Sequence, residues 1–208
     1  MKHQDFQETI SSPSAAFDEG LRFFAGKGML NNALTRIVRR LSELGIDYVV
    51  IGAVALNQYG YRRFTEDIDL LLTKEGLERF HGELVGLGYR PAFEGSRKQF
   101  RSTAENIRVE IVTAGEYPGD GQPKSVSFPN PNEAATEIDG IKTINLEKLV
   151  ELKLASGMSA PHRLKDLADV QELIKARGLT ADLANKLDPS VRGKYLELHQ
   201  AVLQAPEF

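Results

Sequence analysis

A chain of 208 residues with 41% apolar content can bury one packed core and carry a modest helical lobe. Its 26 Lys and Arg against 29 Asp and Glu leave a net charge of −3, so no global field draws it onto nucleic acid. The absence of cysteine excludes disulfides, thiolate zinc centres and cysteine nucleophiles; with no long apolar run and no visible signal peptide, the expected location is the cytoplasm, without membrane contact.

Met1 to about Ala15 is rich in Ser, Gln and charge, and is expected to be loosely attached. An amphipathic helix is predicted from about Asn31 to Glu43. Tyr48, Val49, Val50 and Ile51 form a short apolar run that reads as a buried strand, ended by Gly52-Ala53 before a helix-like segment from Val54 to Tyr59. A glycine at such a junction lets backbone approach a ligand, and the free N–H groups of the new helix favour an anion there. Asp67-Ile68-Asp69 follows in a second strand-like run. Residues i and i+2 of a strand share a face, so the two carboxylates lie side by side and repel each other unless a cation sits between them. Oxygen-only ligands at that spacing suit Mg²⁺. Arg62 and Arg63, between the two halves, are in reach of phosphate oxygens.

A helix from about Lys74 to Leu87 comes next, then strands at Tyr89–Phe93 and Lys98–Ser102 around a Gly95-Ser96 turn. Asn106 to Val112 alternates as a strand, with Ile107, Val109 and Ile111 on one face and Arg108, Glu110 and Val112 on the other. Arg97, Lys98, Arg101 and Arg108 form a basic patch on this hairpin, suited to RNA or to a triphosphate tail. Thr113 to Pro131 is a long Gly- and Pro-rich loop, a length that usually carries recognition or a lid. Asp139-Gly140 signals a hairpin turn. A helix capped by Asn145 carries an apolar stripe of Leu146, Leu149 and Val150 that Lys153 continues; a lysine facing inward wants an anion. On the following helix Asp166 shares a face with Val170 and Leu173, with Arg163 or Lys153 as its partner, and helices continue to about Leu203. His81, His162 and His199 have no ligand partners at metal spacing and are assigned structural roles; His3 falls in the N-terminal tail.

The order strand, Gly52-Ala53, helix, Gly60, Arg63, Thr65, Asp67-x-Asp69 resembles the DNA polymerase β-like nucleotidyltransferase superfamily. It is most similar to small bacterial members such as AbiEii-type toxins and antibiotic nucleotidyltransferases, and Lys153 with Arg163-x-Lys165-Asp166-x-x-Asp169 resembles their later motifs. The resemblance implies an α+β fold, a short mixed sheet flanked by helices with a helical C-terminal part. It divides the chain into a flexible segment 1–26, a nucleotidyltransferase core 27–144 and helices 145–208 packed on it. The implied activity moves a nucleoside monophosphate from a nucleoside triphosphate to an acceptor hydroxyl on RNA, tRNA or a small molecule, with Mg²⁺, or Mn²⁺ in its place. By the same resemblance Asp67, Asp69 and Glu110 hold the metal and act in catalysis, and Gly52, Ala53, Arg63, Thr65, Lys153 and Asp166 bind the nucleotide. The superfamily usually has serine where this chain has Ala53, so one phosphate donor is lost while the backbone contacts survive. A nucleotide-binding member of little or no activity, acting in a toxin–antitoxin or regulatory pair, is the alternative. An antitoxin-like protein and a second copy of the chain are the expected protein partners.

Overall fold

The computed structural model describes residues 5–204. Helices α1 (Phe6–Ser11), α2 (Pro13–Phe24) and α3 (Met29–Glu43) precede strand β1 (Tyr48–Val50), which runs into the seven-residue helix α4 (Gly52–Gln58). Strand β2 (Asp67–Leu72) and helix α5 (Lys74–Leu84) follow, then β3 (Tyr89–Pro91), β4 (Gln99–Ser102) and β5 (Arg108–Thr113). Beyond the long loop come a short helix α6 (Pro131–Ala134), the hairpin β6 (Ala135–Ile138) and β7 (Ile141–Ile144), and helices α7 (Leu146–Ser159), α8 (Leu164–Arg177) and α9 (Pro189–Gln204).

The strands form one mixed sheet in the order β3-β4-β5-β2-β1-β7-β6. β2 lies at its middle, antiparallel to β1 and parallel to β5. Alternation along β2 sorts its side chains into two layers. Ile68, Leu70 and Leu72 join Val109 and Ile111 in a core under α3 and α5. Leu71 joins Val49 and Ile144 in the core under α7, α8 and α9. Asp67 and Asp69 share the parity of Leu71, so they project on the face that the C-terminal helices cover.

Asp139 and Gly140 both take positive φ, 50° and 76°, as a tight hairpin turn of this kind requires. Helix α5 stops at Leu84, three residues before its expected end, because Gly86 and Gly88 adopt φ of +84° and +117°, outside the helical region. The expected loose N-terminal segment is corrected for residues 5–26. The Asp5 carboxylate accepts from the N–H groups of Gln7 and Glu8 to cap α1, Pro13 opens α2, and Phe6 and Phe23 are buried in the core. Two well-placed aromatic anchors outweigh a polar composition. Met1 to Gln4, with His3, lie outside the described residues. Among the described residues no helix is long and apolar enough to cross a membrane.

Candidate functional site

One cleft of about 700 Å³ opens where the ends of β1, β2 and β5 meet α7 and the start of α8. Gly52, Ala53, Arg63, Thr65, Asp67 and Asp69 line it from the first half of the chain. Glu110, Lys153 and Asp166 line it from the second. The parallel pairing of β2 with β5 sets Asp69 directly beside Glu110 and Asp67 beside Arg108. Three carboxylates and a guanidinium therefore share one face of two adjacent strands.

Gly52 is fixed by geometry rather than by flexibility alone. Its φ is +64°, and a β-carbon there would lie 1.9 Å from Asp69 Oδ2. The Asp69 carboxylate thus rests against bare backbone at the start of α4, where the first N–H groups of a helix lack intrahelical partners. At the neighbouring acid, the Thr65 hydroxyl donates to Asp67 Oδ1 at 2.5 Å and fixes its orientation. Burial pushes the Asp69 carboxyl up to about 7; the nearby Asp67 and Glu110 charges add to the rise, and Lys153 and Arg108 oppose it. Arg108 donates to Glu110 Oε2 at 2.8 Å and so occupies the third acid. Among the described residues no group of three or more acids or histidines is placed to hold a metal ion. The donor set nevertheless fits a hard divalent cation. Two adjacent carboxylates, one of them under-compensated enough to hold its proton to about neutral pH, call for positive charge between them.

Behind the acids lies a buried ionic network. Asp169, only 1% exposed, accepts from Arg63 and from Lys153, each at 2.7 Å. Lys153 also donates to Asp166 at 2.8 Å, and the Ser156 hydroxyl donates to the other Asp166 oxygen at 2.7 Å. Arg163 approaches that carboxylate at 3.6 Å. Burial alone would raise the Asp166 carboxyl, but the Lys153 ammonium, with hydrogen bonds from Lys153 and Ser156, outweighs it and holds the group below the usual carboxylate range. Both candidate partners of Asp166 are thus engaged, and the anion that Lys153 was expected to seek is supplied twice by the protein itself.

Several site features escape the sequence reading. Asp169, which stands in the later motif but is given no role there, lies three residues beyond Asp166 on the same helical face, a spacing that could have assigned it one. Asn57 donates to the carbonyls of Ala53 and Arg63 at 2.8 and 2.6 Å and accepts from the Arg63 N–H at 3.1 Å, tying the Arg63 loop to α4; no local motif marks it. Tyr117 and Gly119 of the long loop, His162 in the 3-10 turn before α8 and Lys165 at the start of α8 also line the cleft. Arg62 is corrected: its guanidinium stacks over Phe24, 4.8 Å from the ring centroid, rather than lining the cleft. The basic patch is largely neutralised, since Arg97 pairs with Glu78, Lys98 with Glu116 and Arg108 with Glu110, while Arg101 donates to the Asn106 carbonyl.

The fold is similar to solved nucleotidyltransferases. The antibiotic-resistance factor ANT(2'')-Ia in solution superposes with a TM-score of 0.53 at 17% identity, over 83% of this chain and 96% of that one. The crystal structure of ANT(2'')-Ia in complex with adenylyl-2''-tobramycin gives 0.50 at 15% identity, over 83% and 95%. An antigenic nucleotidyltransferase-like protein from Paracoccidioides brasiliensis gives 0.50 at 17% identity, over 85% and 93%. At these identities the likeness is one of fold. No curated protein matches the sequence. Residues 36–204, from within α3 to the end of α9, match the model of the nucleotidyl transferase AbiEii toxin family of type IV toxin–antitoxin systems, and the chain belongs to that family.

Proposed function

We propose that the cleft moves a nucleoside monophosphate from a nucleoside triphosphate to an acceptor hydroxyl. The observation that carries this reading is the set of three carboxylates, Asp67, Asp69 and Glu110, on one face of paired parallel strands, with Asp69 against the bare backbone of Gly52. In this reading the N–H groups of Gly52 and Ala53 and the cations Arg63 and Lys153 hold the triphosphate. Asp169 and Asp166 keep those two cations from collapsing onto the acidic strand pair. Thr65 fixes Asp67 so that both its oxygens keep one orientation. Magnesium bound by Asp67, Asp69 and Glu110 would supply charge neutralisation at the entering and leaving oxygens. Glu110, released from Arg108, takes the proton from the acceptor hydroxyl. The acceptor oxygen then bonds to the α-phosphorus as the bond to the bridging oxygen breaks, and pyrophosphate leaves. Positioning and electrostatics do most of this work in this reading, because Arg63, Lys153 and Asp67 are each held by a neighbour before substrate arrives.

The acceptor is RNA, such as tRNA, or a small hydroxyl compound. With the hairpin patch paired internally, Arg163 and Lys165 at the cleft supply the positive charge that an RNA acceptor would meet. An antitoxin partner, acting as type IV systems imply, is proposed on family membership. Ala53 supports the second reading, a nucleotide binder of little activity, because its methyl offers no donor to a phosphate. Calorimetry with Mg²⁺ and each of ATP, GTP, CTP and UTP tests the donor site. Transfer of labelled monophosphate to total RNA or to small hydroxyl compounds then separates the acceptors. Binding without transfer to either class selects the nucleotide-binding reading, and no binding by any of the four overturns both.

A further inference from the structure

The segment between α4 and β2 has no regular secondary structure and carries two cleft residues, with successive side chains making contacts on opposite sides. Arg63 and Thr65 line the cleft. Arg62 and Phe64 point the other way, and both end on α2. The Phe64 ring meets Phe23 edge-on at 5.4 Å between centroids, Phe23 meets Phe24 at 5.1 Å, and the Arg62 guanidinium lies over Phe24. Gly20 of α2 passes so close that an added methyl would touch the Phe64 ring at 4.0 Å. The far end of the N-terminal helical pair is anchored independently. Phe6 N–H donates to the Glu105 carbonyl at 2.8 Å, and Asn106 donates to the Asp5 carboxylate at 3.0 Å, both in the turn that leads into β5. The pair therefore spans from the β5 strand of Glu110 to the loop of Arg63 and Thr65. Both helices lie before residue 36, outside the span that the family model matches.

We propose that α2 is a strap that positions Arg63 and Thr65 for the reaction, acting through Phe64 and Arg62 on the back of their loop. This rests on the nucleotidyltransferase reading for its consequence but not for its geometry. Asn57 holds the Arg63 backbone from the α4 side, and α2 adds a hold from the opposite side on a segment that pairs with no strand. Arg63, Thr65 and Asn57 touch the site or its backbone; Phe23, Phe24, Phe64 and Arg62 are positioning residues.

The test uses the full chain and four variants, Phe23→Ala, Phe64→Ala, Phe64→Leu and Arg62→Ala. Phe17→Ser and Leu21→Ser serve as controls on the exposed outer face of α2, at 67% and 57% exposure. Two readouts are taken: Mg²⁺-dependent binding of whichever of the four common nucleoside triphosphates the native chain holds, and the rate of tryptic cleavage after Arg62 or Arg63. The strap predicts nucleotide binding weaker by about tenfold in Phe23→Ala and Phe64→Ala. It also predicts cleavage at the loop faster by about tenfold, with urea midpoints showing the chain still folded. Phe64→Leu recovers most of both, and the controls change neither. Arg62→Ala, at the surface, keeps the fold and speeds cleavage after Arg63 if the larger cavities prevent folding of the alanine variants. Unchanged cleavage in folded variants, or equal changes in the controls, overturns the strap. If the native chain binds none of the four nucleotides the transferase reading fails, while the cleavage rates still decide the strap.

Discussion

Replacing Asp69 with asparagine should make the metal-free protein more stable, and more so at high pH. The carboxyl is pushed from 3.8 up to about 7, chiefly by burial and then by Asp67 and Glu110. A raised carboxyl pKa means that the folded state holds the proton more tightly than the unfolded state. Its contribution is therefore intact below the unfolded pKa, is lost as pH rises towards the folded pKa, and is flat above it. The full rise corresponds to a penalty of about 4 kcal/mol at pH 8, of which roughly half is already present at pH 5.5. The carboxylate opens on the cleft, so water screens part of this, and a gain of about 2 kcal/mol for Asp69→Asn at pH 8 is expected. Urea unfolding of both proteins in EDTA at pH 5.5 and pH 8 measures it. Millimolar Mg²⁺ at pH 8 should then raise the stability of the native chain and leave Asp69→Asn nearly unchanged, because a cation bound to the folded state alone stabilises by mass action. A stability gap between the two proteins that is the same at both pH values would refute the reasoning, since the carboxylate would then carry no unmet charge.

Asp67→Asn should lower transfer on the order of a hundredfold or more while leaving the fold intact, as read by turnover and circular dichroism. Gly52→Ala places a methyl where Asp69 Oδ2 lies, in a backbone conformation that alanine resists; a loss of about 2–3 kcal/mol in urea unfolding and abolished nucleotide binding are expected. Asp169→Ala strands Arg63 and leaves Lys153 with Asp166 alone, and should cost about 3–5 kcal/mol, whereas Asp169→Leu combined with Lys153→Met should recover part of that stability without activity. Asn57→Ala removes three hydrogen bonds, two of them to the Arg63 loop, and is expected to cost about 1–3 kcal/mol with KM for the nucleotide raised more than kcat falls.

What the sequence made legible follows from spacing. Asp67 and Asp69 sit two apart in a strand, Asp139-Gly140 names its own turn, and Lys153 extends an apolar stripe by whole helical turns; each is a local pattern with a single geometric reading. The juxtaposition of Glu110 with Asp69 needed only the parity of its strand and the guess that β5 lies beside β2, and the register of that pair places them opposite each other. The ionic hub at Asp169 was less legible, because its partners are Arg63 and Lys153, brought in by packing from elements far apart in the chain. The N-terminal helices were misread for a different reason. Composition averages over a segment, whereas Phe6 and Phe23 act singly, and their burial is decided by hollows on a surface formed by later residues. Arg62 and Arg63 look equivalent in sequence, yet one guanidinium lies over Phe24 and the other on Asp169, partners that only packing brings to the two sides of their loop.

The pairing of Arg63 with Asp169 joins residues 106 apart in the chain. Such a contact closes only after the entropy of a long loop has been overcome, so Arg63 finds its acid late in folding, whereas Lys153 meets Asp166 and Asp169 across one helix–helix turn. A chain emerging from the ribosome completes its acidic strand pair once β5 is made, but has no Asp169 until α8 follows. The order of synthesis therefore makes α8 the last component of the cleft, and a chain truncated before it lacks the acid that holds Arg63 and Lys153 in common.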